Sequence, residues 1–149
     1  MNKTILFAAL AVLAFSCKKS KHINNDPIID VPVNITINMA LNSHSHLLNI
    51  GSHSFEEGGV KGVVVVHYTD DNYYAFDRSC SYQPSNACSR IEVDSSVLIF
   101  RCGETKTSGF EKCCDSKFLM NGEVFNGPAT FGLKRYQVIR TGNLLNIKN

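Results

Sequence analysis

Val60-Lys61-Gly62-Val63-Val64-Val65-Val66-His67-Tyr68 carries four consecutive β-branched residues, the mark of a strand buried on both faces. Thr69-Asp70-Asp71-Asn72 follows as a polar four-residue hairpin connection, and Tyr73-Tyr74-Ala75-Phe76 returns as the partner strand. Upstream, Val31-Pro32-Val33-Asn34-Ile35-Thr36-Ile37-Asn38 alternates apolar and polar residues at period two, as a half-buried strand does. Downstream, Ile91 to Val93, Val97 to Phe100, Gly122 to Phe125, Tyr136 to Ile139 and Leu144 to Ile147 read as further short strands. Asp94-Ser95-Ser96 and Thr141-Gly142-Asn143 are the clearest turns between them. No segment of the domain sustains a capped helical period. The fold class expected is all-β, a small antiparallel sandwich or barrel.

The chain has 149 residues, enough for one domain and a targeting segment. A formal net charge of +2, with the charges scattered, gives no nucleic-acid footprint. There is no nucleophile elbow, no phosphate-cradling glycine loop and no paired carboxylates placed for acid–base work, so a stand-alone enzyme is not expected.

At the N-terminus, Lys3 precedes the apolar run Ile5 to Phe15, too short to span a bilayer but suited to a secretory signal. Leu13-Ala14-Phe15-Ser16-Cys17 resembles a bacterial lipobox. Residues 1–16 are therefore expected to be a lipoprotein signal peptide, with Cys17 the lipidated first residue of the mature chain. Acyl chains contribute about 0.8 kcal/mol per buried methylene, and more than one chain is needed for firm anchoring. Residues 17–30, rich in Lys, Ser, Asn and Asp, are the expected tether, and residues 31–149 the folded domain. The expected location is the bacterial cell envelope, held to a membrane through the lipid and facing the periplasm or exterior. Another envelope protein is the candidate partner.

Phe76-Asp77-Arg78-Ser79-Cys80-Ser81-Tyr82 resembles the first cluster-binding loop of the Rieske [2Fe–2S] family. Cys113-Cys114-Asp115-Ser116-Lys117-Phe118, followed by Gly122, Gly127-Pro128-Ala129 and Leu133-Lys134-Arg135-Tyr136, resembles the second. The resemblance spans residues 60 to 149. It extends to short lipoproteins of Bacteroidetes-type bacteria that carry a degenerate form of this pattern, and it implies a Rieske-type β-sandwich or barrel. Family members carry Cys-x-His in the first loop and Cys-Pro-x-His-Gly-Ser in the second. Here Tyr82 and Cys114 stand where the histidines belong.

The resemblance also orders the cysteines. Read backwards from Ser116, the second loop puts Glu111 at the Cys-ligand position; read with Gly103 to Lys112 as an inserted surface loop, it puts Cys102 there, at a strand end. We adopt the second alignment. Cys80 and Cys102 then hold the Cys-ligand positions, while Cys88 and Cys113 hold the positions of a loop-clamping disulfide. Neutral imidazoles raise the potential of such a cluster, so their loss argues against a high-potential centre.

Three readings of the thiols follow. In an oxidising compartment they form disulfides, Cys88–Cys113 and Cys80–Cys102, with Cys114 spare. In the second, an atypical [2Fe–2S] cluster survives on Cys80, Cys102 and Cys114 with Tyr82 or Cys113. In the third, zinc occupies the same thiolates. The expectation adopted is the first: no metal and no cofactor, and a Rieske-like structural or interaction module. The alternative is an electron carrier. His44 and His46, at i, i+2, with His53 nearby, form a second metal-like grouping, but no carboxylate or Cys accompanies them at a metal-site spacing, so they read as surface histidines. His67, Tyr73, Tyr74 and Tyr136 read as structural.

Overall fold

The structure, a computed structural model, describes residues 27–94, 96 and 98–149. The expected signal peptide and the lipidated Cys17 lie outside the described residues. Among the described residues, ten antiparallel strands form two sheets. The six-stranded sheet has the order β1 (Asn34–Asn38), β10 (Leu144–Lys148), β9 (Arg135–Thr141), β4 (Asn72–Asp77), β3 (Val63–Thr69) and β2 (His53–Glu56). The four-stranded sheet runs β5 (Ile91–Asp94), β6 (Ile99–Lys106), β7 (Gly109–Leu119) and β8 (Val124–Asn126). One 3₁₀ turn, Ser45–Leu48, joins β1 to β2.

The valine run explains the two-layer plan. Val63 and Val65 point into a core of Ile37, Leu47, Ala75, Tyr136, Leu145 and Ile147, enclosed by the six-stranded sheet. Val64 and Val66 point the other way, onto Phe76, Ile91, Phe100 and Phe118, where the two sheets meet. All four valines are fully buried, each contributing roughly 1.5–3 kcal/mol. The period-two alternation of side chains thus serves two cores from one strand.

Two expectations change. Gly103 to Lys112 is not an inserted surface loop: Gly103 pairs with Lys112, Glu104 with Glu111 and Lys106 with Gly109, as the arms of the β6–β7 hairpin. Its residues are mostly exposed, so no apolar alternation advertises the strands. β2 was not expected either, and it is held by register with β3, His53 opposite Val66 and Glu56 opposite Val63. Residues 28–30, the last of the expected tether, lie against the domain. Ile28 is buried, Lys134 Nζ donates to Ile29 O (2.8 Å) and Asp30 Oδ1 (2.8 Å), and Asn149 Nδ2 donates to Asp30 Oδ1 (2.7 Å).

Candidate functional site: a thiol cluster between two loops

The first loop leaves β4 at Asp77, whose buried carboxylate accepts from Val60 N (2.6 Å), Ser79 N (2.8 Å) and Tyr136 Oη (2.9 Å). Three donors on one carboxylate fix where the loop starts. Gly59 makes room for this network: a Cβ there would lie 2.3 Å from Asp77 Oδ2, and its φ of +61° favours glycine. Further on, Ser79 bridges to Arg90, Cys80 N donates to Ser89 O (3.0 Å), and Ser81 Oγ donates to Phe131 O (2.6 Å). Arg78 is buried below, its guanidinium paired with Glu92 and lying 3.7 Å over the Phe55 ring.

The second loop is a bulge in β7. Arg101 faces Lys117 and Gly103 faces Lys112, so two steps along β6 match five along β7. The additional residues push Cys113 to Ser116 out of the ladder, as bulges re-aim side chains. Ser116 Oγ accepts from Ala129 N (3.1 Å), and Gly127 approaches so closely that a Cβ would lie 2.4 Å from Asp115 O. The disulfide Cys88–Cys113, with a Cα–Cα distance of 5.5 Å, joins the bulge to the first loop as expected.

Cys80, Cys102 and Cys114 meet under this clamp. Their sulfurs all lie within 4.8 Å of one another, Cys80 Sγ being 3.9 Å from Cys114 Sγ. All three are free thiols. This differs from the expected Cys80–Cys102 bridge with Cys114 spare: Cys80 and Cys114 are in hydrogen-bonding contact, Cys102 lies within 4.8 Å of both, and none is bonded at the roughly 2.05 Å of a disulfide. Cys80 and Cys102 are buried and Cys114 is partly exposed. Glu111, the other position weighed for the ligand, is exposed and pairs with Lys106.

The Cys80 sulfur gathers donors. The Cys102 thiol, the Tyr82 N–H, and smaller contributions from Cys114 and Ser89 hold its pKa down to about 6 against the penalty of burial. The Cys102 thiol is pushed up, by its contact with Cys80 first and by burial next. Tyr82 packs on the inter-sheet core and serves the cluster through its backbone. Lys61 Nζ lies across the first loop, donating to Asn86 O and Ser89 O, close enough to feel the Cys102, Cys80 and Asp77 charges, while burial lowers its own pKa.

The histidines go elsewhere. His44 Nε2 lies 3.2 Å from Glu56 Oε1, and His46 Nε2 is 3.0 Å from His53 O, with His44 and His46 at the 3₁₀ turn and not on a strand. His67 is buried and stacked on Tyr73 at 4.3 Å between ring centroids. Tyr136 has a role beyond packing, as a donor to Asp77. Sequence reasoning missed Lys61, Ser89 and the Asp77 network; a lysine one residue before a glycine in a strand approach carries no local signal of a distant thiol.

No family's sequence pattern matches the chain, and no curated protein does. Solved structures do. The plasma membrane Rieske protein PetC3 of the cyanobacterium Synechocystis PCC 6803 superposes with a TM-score of 0.55 at 21% identity, over 78% of this chain and 99% of that one. The ferredoxin of carbazole 1,9a-dioxygenase from Nocardioides aromaticivorans IC177 gives 0.47 at 17%, over 79% and 97%. The first likeness establishes the fold: this chain has the all-β Rieske-type fold. Among the described residues, no helix is long and apolar enough to cross a membrane.

Proposed function

We propose that this chain is a lipid-anchored module of the bacterial cell envelope, in which a Rieske-type fold serves as a rigid structural or interaction scaffold and no longer carries the two-iron cluster. One observation carries the reading. A [2Fe–2S] centre of this type needs ligands in two pairs, two thiolates on one iron and two imidazoles on the other. Here three sulfurs crowd to a single point, and among the described residues no histidine or carboxylate joins them. The donor set does not fit the cluster. The polar and covalent anchors that hold the loops, Asp77 and the Cys88–Cys113 bridge, support a scaffold that stands without iron.

The test is iron and acid-labile sulfide analysis of protein purified anaerobically from its own membrane. The scaffold reading expects neither, and no red-brown absorption. A full two-iron complement with matching sulfide would sink it and establish an electron carrier. Anchoring is tested separately: Cys17→Ser should move the protein from the detergent phase to the aqueous phase, because a single acyl chain or none binds membranes only marginally. Retention of the variant in the detergent phase would refute the lipid anchor.

A further inference from the structure

We propose that Cys80, Cys102 and Cys114 form a site for one thiophilic d¹⁰ metal ion, Zn²⁺ or Cu⁺, bound by three sulfurs. The inference rests on the preceding reading, since a two-iron cluster would claim the same thiols.

Geometry carries it first. Metal–sulfur bonds of about 2.3 Å in a tetrahedral site set ligand sulfurs about 3.8 Å apart. Cys80 and Cys114 are at 3.9 Å, and Cys102 completes a triangle with no side above 4.8 Å. Three thiols on one small triangle, brought from a loop, a strand and a bulge, can all reach one ion without a backbone shift. The hard cations Mg²⁺ and Ca²⁺ prefer oxygen, so an all-sulfur face selects soft ions.

The surroundings suit the charge that results. A divalent ion with three thiolates carries a net negative charge, and a monovalent one carries more. The Tyr82 N–H already faces the Cys80 sulfur, as the outer partner of a metal ligand does, and Ser89 Oγ donates to the Tyr82 carbonyl (2.7 Å), holding that residue in place. Lys61, fixed on the Asn86 and Ser89 carbonyls, brings a positive charge to the same thiols. Burial of Cys80 and Cys102 protects two ligands from oxidation, while the partly exposed Cys114 gives the ion a way in and leaves room for a fourth, exogenous ligand. The Cys88–Cys113 bridge consumes the other two cysteines of the domain, so the triad does not depend on them.

The experiment uses the full lipidated chain, extracted in detergent under anaerobic, mildly reducing conditions that leave Cys88–Cys113 intact, and titrated with Zn²⁺, Cu⁺ and Co²⁺ in turn. The expected result is one ion per chain, with Co²⁺ showing intense sulfur-to-metal charge transfer and a tetrahedral ligand-field band. Cys102→Ser and Cys114→Ser should each weaken Zn²⁺ binding by more than about a hundredfold, beyond what loss of a supporting residue does. Lys61→Met should weaken it by about tenfold with the Co²⁺ spectrum unchanged. Retention of the Cys88–Cys113 bridge in peptide maps shows that each variant has folded. The proposal is overturned if the reduced wild-type chain binds none of the three ions, if the serine variants bind as wild type does, or if protein taken directly from the membrane carries a disulfide within the triad. Two irons with labile sulfide would sink both this inference and the scaffold reading. An iron-free chain that binds no added ion sinks this one alone.

Discussion

The two ends of the molecule are stabilised by different physics. Around the first core, the six-stranded sheet encloses aliphatic side chains from β1, β3, β9 and β10, and no covalent link takes part. Around the thiols, a loop and a strand bulge are set in position by one carboxylate, one disulfide and close glycine contacts. Hydrophobic packing tolerates many sequences of similar volume, whereas a converging site needs each loop at one place. The lesson is a division of labour: hydrophobic packing in the two cores supplies the folding free energy, and the loops beside the second spend part of it on holding polar groups together.

That division can be broken by experiment. Leu145→Ala, in the first core, should lower global stability by about 2–5 kcal/mol, equally with and without reductant. If the cost depended on reductant, the two ends would not be independent. The double variant Cys88→Ala/Cys113→Ala should lose about 3 kcal/mol, from a closed loop of 25 residues, and its thermal midpoint should then ignore reductant. An unchanged midpoint in the double variant would show that the loops hold without their clamp. Tyr136→Phe removes one of three donors from the buried Asp77 carboxylate and should cost about 1–3 kcal/mol. Faster amide exchange at Val60 and Ser79 would locate the damage in the first loop; exchange confined to β10 would refute the assignment.

A further expectation is a pH dependence of the metal-free form. Cys80 has a folded pKa below the ordinary thiol value, so its contribution is present above about 8.5 and is lost as pH falls through about 6. Cys102 is shifted up, so above about 8.5 the unfolded chain sheds a proton the folded chain keeps, and stability falls again. Stability should therefore peak near pH 8.5 and decline on both sides. A flat profile in the wild type, or the same peak in Cys80→Ser, would dismiss the sulfur cluster as its source.

Much of the apolar end was legible in the sequence. The valine run predicts burial on two faces because only a central strand offers two apolar sides, and Val63 to Val66 supply both cores. Cys88–Cys113 was legible through the family resemblance, not through spacing. The grouping of Cys80, Cys102 and Cys114 was legible through the same resemblance, but the hairpin that joins two of them was not. Cys102 and Cys114 are brought together by a register shift in a hairpin whose polar, exposed arms read as a loop, and bulges leave no periodic trace. β2 was missed because His53-Ser54-Phe55-Glu56 becomes a strand by pairing with β3, a tertiary effect that local pattern does not contain.

The register of the first and last strands has a mechanical consequence. Asn34 lies opposite Lys148, so the chain enters and leaves the sheet side by side at the same end. A force pulling the two termini apart would peel β1 from β10 one rung after another, the weak direction of a β-ladder, instead of shearing all rungs at once. The fastening of Asp30 by Lys134 and Asn149 sits ahead of that seam, and the backbone carbonyl of Lys134 also receives the N–H of Asp77. Tension arriving from the N-terminal side therefore meets this knot before it reaches the ladder, and the knot hands part of the load to the carboxylate that sets the first loop.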